Sequence, residues 1–155
     1  MKEIVENLLK KNLTISTMES CTGGMLANSI TNIPNASLVF KFGAVTYSNE
    51  YKIKFNVSQE LIDTYSVYSI EVARDMSKKI SDFTNSDIGI GVTGKLKRQD
   101  INNLVGEDDL VYYSIYLKKE DKYYTNSVIV TSYDREENKL MVINDIVNKL
   151  KEILK

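Results

Sequence analysis

The chain of 155 residues has no histidine, no tryptophan, one cysteine, one proline and only seven glycines. Each shortage excludes something. Without histidine, neither a Ser-His-Asp nor a Cys-His constellation can be built within the chain, and most zinc sites lose a standard ligand. A hydrolase of this composition must draw its base from Lys, Tyr, Asp or Glu. The lone Cys21 forms no internal disulfide and fits a reducing compartment. No apolar run approaches bilayer-spanning length. The start, Met1-Lys2-Glu3-Ile4, carries no export-type apolar segment, so a cytoplasmic protein is expected. Neither sign of charge is in excess, with 20 Lys and Arg against 21 Asp and Glu. A basic groove for nucleic acid is therefore not supported. Neither a metal nor a cofactor is expected, and neither is a membrane.

What is present reads as one soluble domain over residues 1–155, with 43% hydrophobic and 26% charged residues. Apolar positions at helical spacing predict helices over 3–11, from about Gly24 to before Pro34, over 59–65, over 70–83 and over 134–154. A further helix starts at Ser48 or Asn49. β-Branched and aromatic runs predict strands over 13–18, 38–48, 87–93, 110–118 and 122–131, the last two as a hairpin. Gly94 to Asp109 is polar and aperiodic and reads as a long loop. The order implies an α/β fold: a single-domain layered sandwich with a mixed β-sheet flanked by helices.

Four stretches could carry chemistry. Thr17-Met18-Glu19-Ser20-Cys21-Thr22-Gly23-Gly24 joins a strand to a helix, a geometry that presents free N–H groups to an anion or oxyanion. Ser20 is its candidate nucleophile, beside the N–H groups of Cys21 and Thr22; Ser20 or Thr22 serving as an ordinary N-cap is the plain alternative. Cys21 is the rival nucleophile, although nothing nearby in sequence activates a thiol. Tyr47-Ser48-Asn49-Glu50-Tyr51-Lys52 ends another strand and offers a lysine base. Gly89-Ile90-Gly91-Val92-Thr93-Gly94 matches a dinucleotide fingerprint only formally, because its glycines fall inside a strand and a loop follows. Lys95, Lys97 and Arg98, with Arg135 and Lys139, could serve a phosphate-bearing substrate; one by one they read as solvated charge. Arg135 is a partial exception, because it falls on the first turn of a helix directly after a strand end, where ligand sites of α/β sheets gather.

Taken together, Glu19-Ser20-Cys21-Thr22-Gly23-Gly24 and Tyr47-Ser48-Asn49-Glu50 with Lys52 resemble the CinA C-terminal domain family of competence/damage-inducible proteins. The resemblance extends through Pro34, Phe40, Gly43, Val67-Tyr68-Ser69 and Val92-Thr93-Gly94. It implies a domain standing without the N-terminal partner domain of longer members. It also implies the activity of the family's characterised nicotinamide-nucleotide amidohydrolases, hydrolysis of nicotinamide mononucleotide to nicotinate mononucleotide and ammonia. Carried over, Ser20, Tyr47 and Lys52 are the catalytic candidates. Glu19, Cys21, Thr22, Gly23, Gly24, Ser48, Asn49, Thr93, Gly94 and Arg135 are the substrate-binding candidates. The expected partner is a small nucleotide substrate, and a homo-oligomer, dimer or higher, is expected.

The chain departs from the family after Gly94, where Ile-Ala-Gly-Pro is replaced by Lys95-Leu96-Lys97-Arg98 and no glycine recurs before Gly106. Two expectations follow: altered substrate choice, or a catalytically silent binding or assembly module.

Overall fold

Alternation along the central strands decides what lies on each side of the sheet. In β3 (Ile88–Gly94), Ile88, Ile90 and Val92 point to one face, and Gly89, Gly91 and Thr93 to the other. The computed structural model describes residues 1–98, 101 and 104–155; Gln99, Asp100, Asn102 and Asn103, part of the expected long loop, lie outside the described residues.

Five strands form one mixed sheet in the order β2-β1-β3-β4-β5. β1 (Ile15–Glu19) is parallel both to β2 (Phe40–Val45) and to β3. β4 (Leu110–Leu117) and β5 (Lys122–Ile129) continue antiparallel, as the expected hairpin. On one face, α1 (Lys2–Lys11), α2 (Met25–Thr31) and α6 (Arg135–Ile153) enclose a core containing Ile15, Ile90, Val92, Ile115 and Ile146. On the other, α4 (Gln59–Tyr65) and α5 (Ile70–Thr84) pack around Met18, Val72, Met76 and Ile80. The short α3 (Asn49–Lys54) follows β2.

Local signals explain these boundaries. Ser58, Ser69 and Asp134 each accept a backbone N–H three residues on, capping α4, α5 and α6. Asn12 and Asn85 close α1 and α5 in the left-handed region that asparagine tolerates. The glycine pattern in β3 has a packing cause. A Cβ on Gly89 would overlap the Ser77 carbonyl of α5, and one on Gly91 the Ala73 carbonyl. These glycines let α5 lie directly on the sheet, and no nucleotide turn is formed there. Among the described residues no helix is long and apolar enough to cross a membrane.

Candidate active site

A cleft of about 560 Å³ opens at the C-terminal ends of β1, β2 and β3. β1 runs between the other two, so the chain leaves it toward β2 and later returns on its opposite side at β3. Such a reversal in an α/β sheet leaves a crevice beyond the strand ends.

At the end of β1 the alternation sends two consecutive residues to different tasks. The Glu19 carboxylate turns toward α2, where Oε2 accepts from Thr22 Oγ1 at 2.7 Å and from the Gly24 and Leu26 N–H groups at 3.1 Å. Its Oε1 accepts from the Ala27 N–H at 2.8 Å. Glu19 thus supplies the negative charge that the start of α2 attracts. The N-cap is Gly24, at φ 90, rather than Ser20 or Thr22. Ser20 continues the ladder, its N–H donating to the Val92 carbonyl at 3.0 Å. Its side chain meets α3: Lys52 Nζ donates to Ser20 Oγ at 3.2 Å and to the Thr46 carbonyl at 2.8 Å. Both side chains are buried, Lys52 at 1% exposure. Among the described residues no carbonyl or side-chain oxygen accepts from the Cys21 or Thr22 N–H, the two amides that follow Ser20.

Tyr47 and Arg135 stand at the cleft mouth. Arg135 Nη2 donates to Tyr47 Oη at 3.5 Å, across 88 residues of sequence. The head of α6 is held by the buried Asn138, whose amide donates to the Ser132 carbonyl at 2.8 Å and accepts from the Ser132 N–H at 3.0 Å. Cys21 lines the cleft next to Ser20. Burial pushes its thiol up to about 12, against the lowering pull of the Lys52 and Arg135 charges. A thiol held protonated at neutral pH is a poor nucleophile. Ser20 is the better placed of the two.

The wall after β3 is also polar. Lys95, set aside in the sequence as solvated charge, is buried: its side chain is 1% exposed, and Nζ lies 2.9 Å from Asp108 Oδ1. Nζ also donates to the Gly106 carbonyl at 3.3 Å and stands 5.3 Å from the Tyr68 ring centre. Arg98 lines the same cleft, whereas Lys97 turns away to donate to the Thr131 carbonyl at 2.6 Å.

Comparison with known proteins bears on this arrangement. The CinA C-terminal domain matches residues 1–154. The chain belongs to the CinA C-terminal domain family. A protein of Clostridium botulinum named competence-damage inducible protein is 49% identical over 96 residues, which cover 61% of this chain and 24% of that protein. A like-named protein of Clostridium kluyveri is 41% identical over 124 residues, covering 79% of this chain and 30% of its own length. The chain therefore matches only 24% to 30% of the length of these curated relatives. Among solved structures, a CinA superfamily protein of Klebsiella pneumoniae superposes with a TM-score of 0.89 at 24% identity, over 99% of this chain and 94% of its own. One from Escherichia coli gives 0.88 at 25% identity, over 98% and 87%. The mixed sandwich is the fold of that superfamily.

The cleft brings together Ser20, Cys21, Tyr47, Ser48, Asn49 and Lys52. Gly94 and Arg135 join them. Glu19, Thr22, Gly23, Gly24 and Thr93, expected to contact substrate, lie off it. The first four build or surround the α2 cap, and Thr93 Oγ1 donates to the buried Val67 carbonyl at 2.9 Å. Of the five, Glu19, Thr22 and Thr93 are buried, whereas Gly23 is exposed. Sequence reasoning missed Lys95 as a cleft residue and missed the Thr46 carbonyl and Tyr68. Val67-Tyr68-Ser69, already part of the family resemblance, was the signal for Tyr68. Nothing local signalled the Thr46 carbonyl.

Proposed function

We propose that this domain is an amidohydrolase acting on the carboxamide of a pyridine nucleotide, releasing nicotinate mononucleotide and ammonia from nicotinamide mononucleotide. The observation that carries the reading is the buried contact between Lys52 Nζ and Ser20 Oγ. In a chain without histidine, it pairs a nucleophile with an amine that can take its proton. Family membership supports the same chemistry.

In this mechanism Lys52, with the Thr46 carbonyl holding one of its N–H bonds, accepts the Ser20 proton as Oγ attacks the carboxamide carbon. The tetrahedral oxyanion is received by the N–H of Cys21, which lines the cleft beside Ser20, a contribution on the order of 3 kcal/mol to the barrier. Collapse breaks the C–N bond, and Lys52 returns the proton to the departing nitrogen, which leaves as ammonia. Water, deprotonated by the same amine, then cleaves the Ser20 ester and gives the carboxylate. Tyr47, at the mouth and 66% exposed, is placed to meet the substrate's polar groups with Arg135.

The experiment is a sensitive ammonia-release assay with nicotinamide mononucleotide on the wild-type chain and Ser20→Ala. Release by the wild type alone supports the reading. Equal rates in both chains would sink it, and complete silence of the wild type would favour a binding module instead.

A further inference from the structure

The two edges of the sheet are built differently. β5 closes one side with Lys122, Thr125, Asn126 and Ser127 exposed, the charged and polar trim that keeps an edge strand from pairing. β2 closes the other with a single charge, Lys41, and with Phe42, Gly43 and Val45 exposed. The Thr46 N–H donates to the Glu19 carbonyl of β1. Alternation along the strand therefore turns the N–H and C=O groups of Gly43 and Val45 away from β1, to a side where the sheet has no further strand.

An aromatic cluster flanks this edge. Phe42 of β2, Phe55 after α3 and Phe83 near the end of α5 have ring centres 5.2 to 6.1 Å apart. Phe55 packs on the core around Met18 and Met76, yet Phe83 stays 62% exposed and Phe42 39%. With Val45, at 52%, they present roughly 300 Å² of apolar surface, a patch of the size that is often functional on a monomer. Adding the backbone of a six-residue strand brings it near the about 600 Å² that each partner of a small stable interface buries. We infer that this face is the interface of a homodimer, in which β2 pairs antiparallel with β2 of a second copy and the sheet continues across the junction. A two-fold axis at Gly43 fits the chain best. It sets Phe42 opposite the partner's Ala44 and Lys41 opposite the partner's Val45, so the two lysines do not face each other. Phe42 and the partner's Phe42 become diagonal neighbours within reach of aromatic rings, which joins the two aromatic clusters across the axis. An edge that offers a donor and an acceptor at Gly43, apolar rings beside it and one charge off the axis is complementary to itself, as an isologous interface requires.

The test is sedimentation of the wild-type chain over about 1 to 100 μM, where a small interface dissociates, beside Phe83→Lys and Val45→Pro. Phe83→Lys places a charge in the joined cluster. Val45→Pro removes an outward N–H at an edge position where proline leaves the ladder to β1 intact. The wild type is expected to pass from monomer to dimer over that range, and each variant to weaken the dimer at least about tenfold. Hydrogen exchange supplies the second reading: the Gly43 and Val45 amides should slow as wild-type concentration rises, and should not do so in Phe83→Lys. If Val45→Pro fails to fold by circular dichroism, Phe83→Lys and the wild-type exchange carry the test. A wild type that stays monomeric throughout overturns the proposal and leaves the edge to a different protein. A dimer that Phe83→Lys does not weaken also overturns it. So does a dimer whose Gly43 and Val45 amides exchange at the same rate at every concentration, because its copies then meet without pairing their strands. None of these readings uses ammonia release, so the interface stands or falls apart from the activity proposed above.

Discussion

Lys52 Nζ lies 3.2 Å from Ser20 Oγ although 32 residues separate them in sequence, one on the short helix after β2 and the other at the end of β1. The strand pair makes the meeting possible: Glu19 is in register with Val45, and the Thr46 N–H donates to the Glu19 carbonyl at 2.8 Å. If Lys52 is the base, Lys52→Met should cut ammonia release by about a thousandfold or more, as removing an activating base does in hydrolases. Lys52→Arg should fail to restore it, because a guanidinium does not give up its proton. Steady-state ammonia release is the measurement, with circular dichroism to check folding. Restored activity in Lys52→Arg would assign the base elsewhere.

Glu19 is predicted to act on stability before it acts on anything else. Its two oxygens accept four hydrogen bonds at 1% exposure, three of them from N–H groups of the turn and first turn of α2. Glu19→Ala would leave those donors without the carboxylate and should cost about 3 kcal/mol, the scale of losing buried bonds to a charged group. Urea unfolding would read this as a lower midpoint. Glu19→Gln should fall between the two, since its amide keeps one acceptor oxygen and turns two hydrogens on neighbouring donors.

The elements were legible where a local cause sets them. The helices expected over 59–65 and 70–83 begin where Ser58 and Ser69, each directly before its run, cap α4 and α5. The turn at residues 20–24 was harder. Sequence offered Ser20 or Thr22 as the cap, but the strand's alternation delivers Glu19 to the helix and leaves Ser20 for Lys52. That depends on which face of β1 meets α2, a tertiary fact. Lys95 is the clearest case of illegibility. Its partner Asp108 lies 13 residues away across a segment without periodicity, so nothing local separated it from a solvated lysine. Gly89 and Gly91 likewise acquire their meaning only from how closely α5 approaches the sheet.

Cys21 should resist alkylation in the folded chain. Burial raises its thiol from an ordinary 9.0 to about 12. At pH 8 the thiolate fraction then falls from about one in ten to roughly one in ten thousand. Iodoacetamide labelling at pH 8, followed by mass spectrometry, should be slow for the native chain and fast in urea. The same shift gives a sign for stability. Between pH 9 and about 12 the unfolded chain releases a proton that the folded chain keeps, so this group's contribution is intact below pH 9 and declines as pH rises through that window. Rapid native labelling at pH 8 would show that the thiol is not held in its protonated form.

Thr17 offers a stabilising substitution. It sits at the centre of β1, in register with Gly43 on one side and Ile90 on the other, and is fully buried. Its Oγ1 has no hydrogen-bond partner among the described residues. A buried hydroxyl without a partner keeps its desolvation cost and gains nothing in return. Valine has nearly the same shape, prefers strands and carries no polar atom to satisfy. The tight spot is the approach to Gly43, where Thr17 Oγ1 would stand 3.1 Å from an added Cβ; glycine at that position leaves room for a methyl in its place. Thr17→Val should therefore raise stability by about 1 kcal/mol, measured as a higher urea midpoint with an unchanged slope. A drop in stability would mean that the hydroxyl is satisfied in solution, with an ordered water as the natural partner.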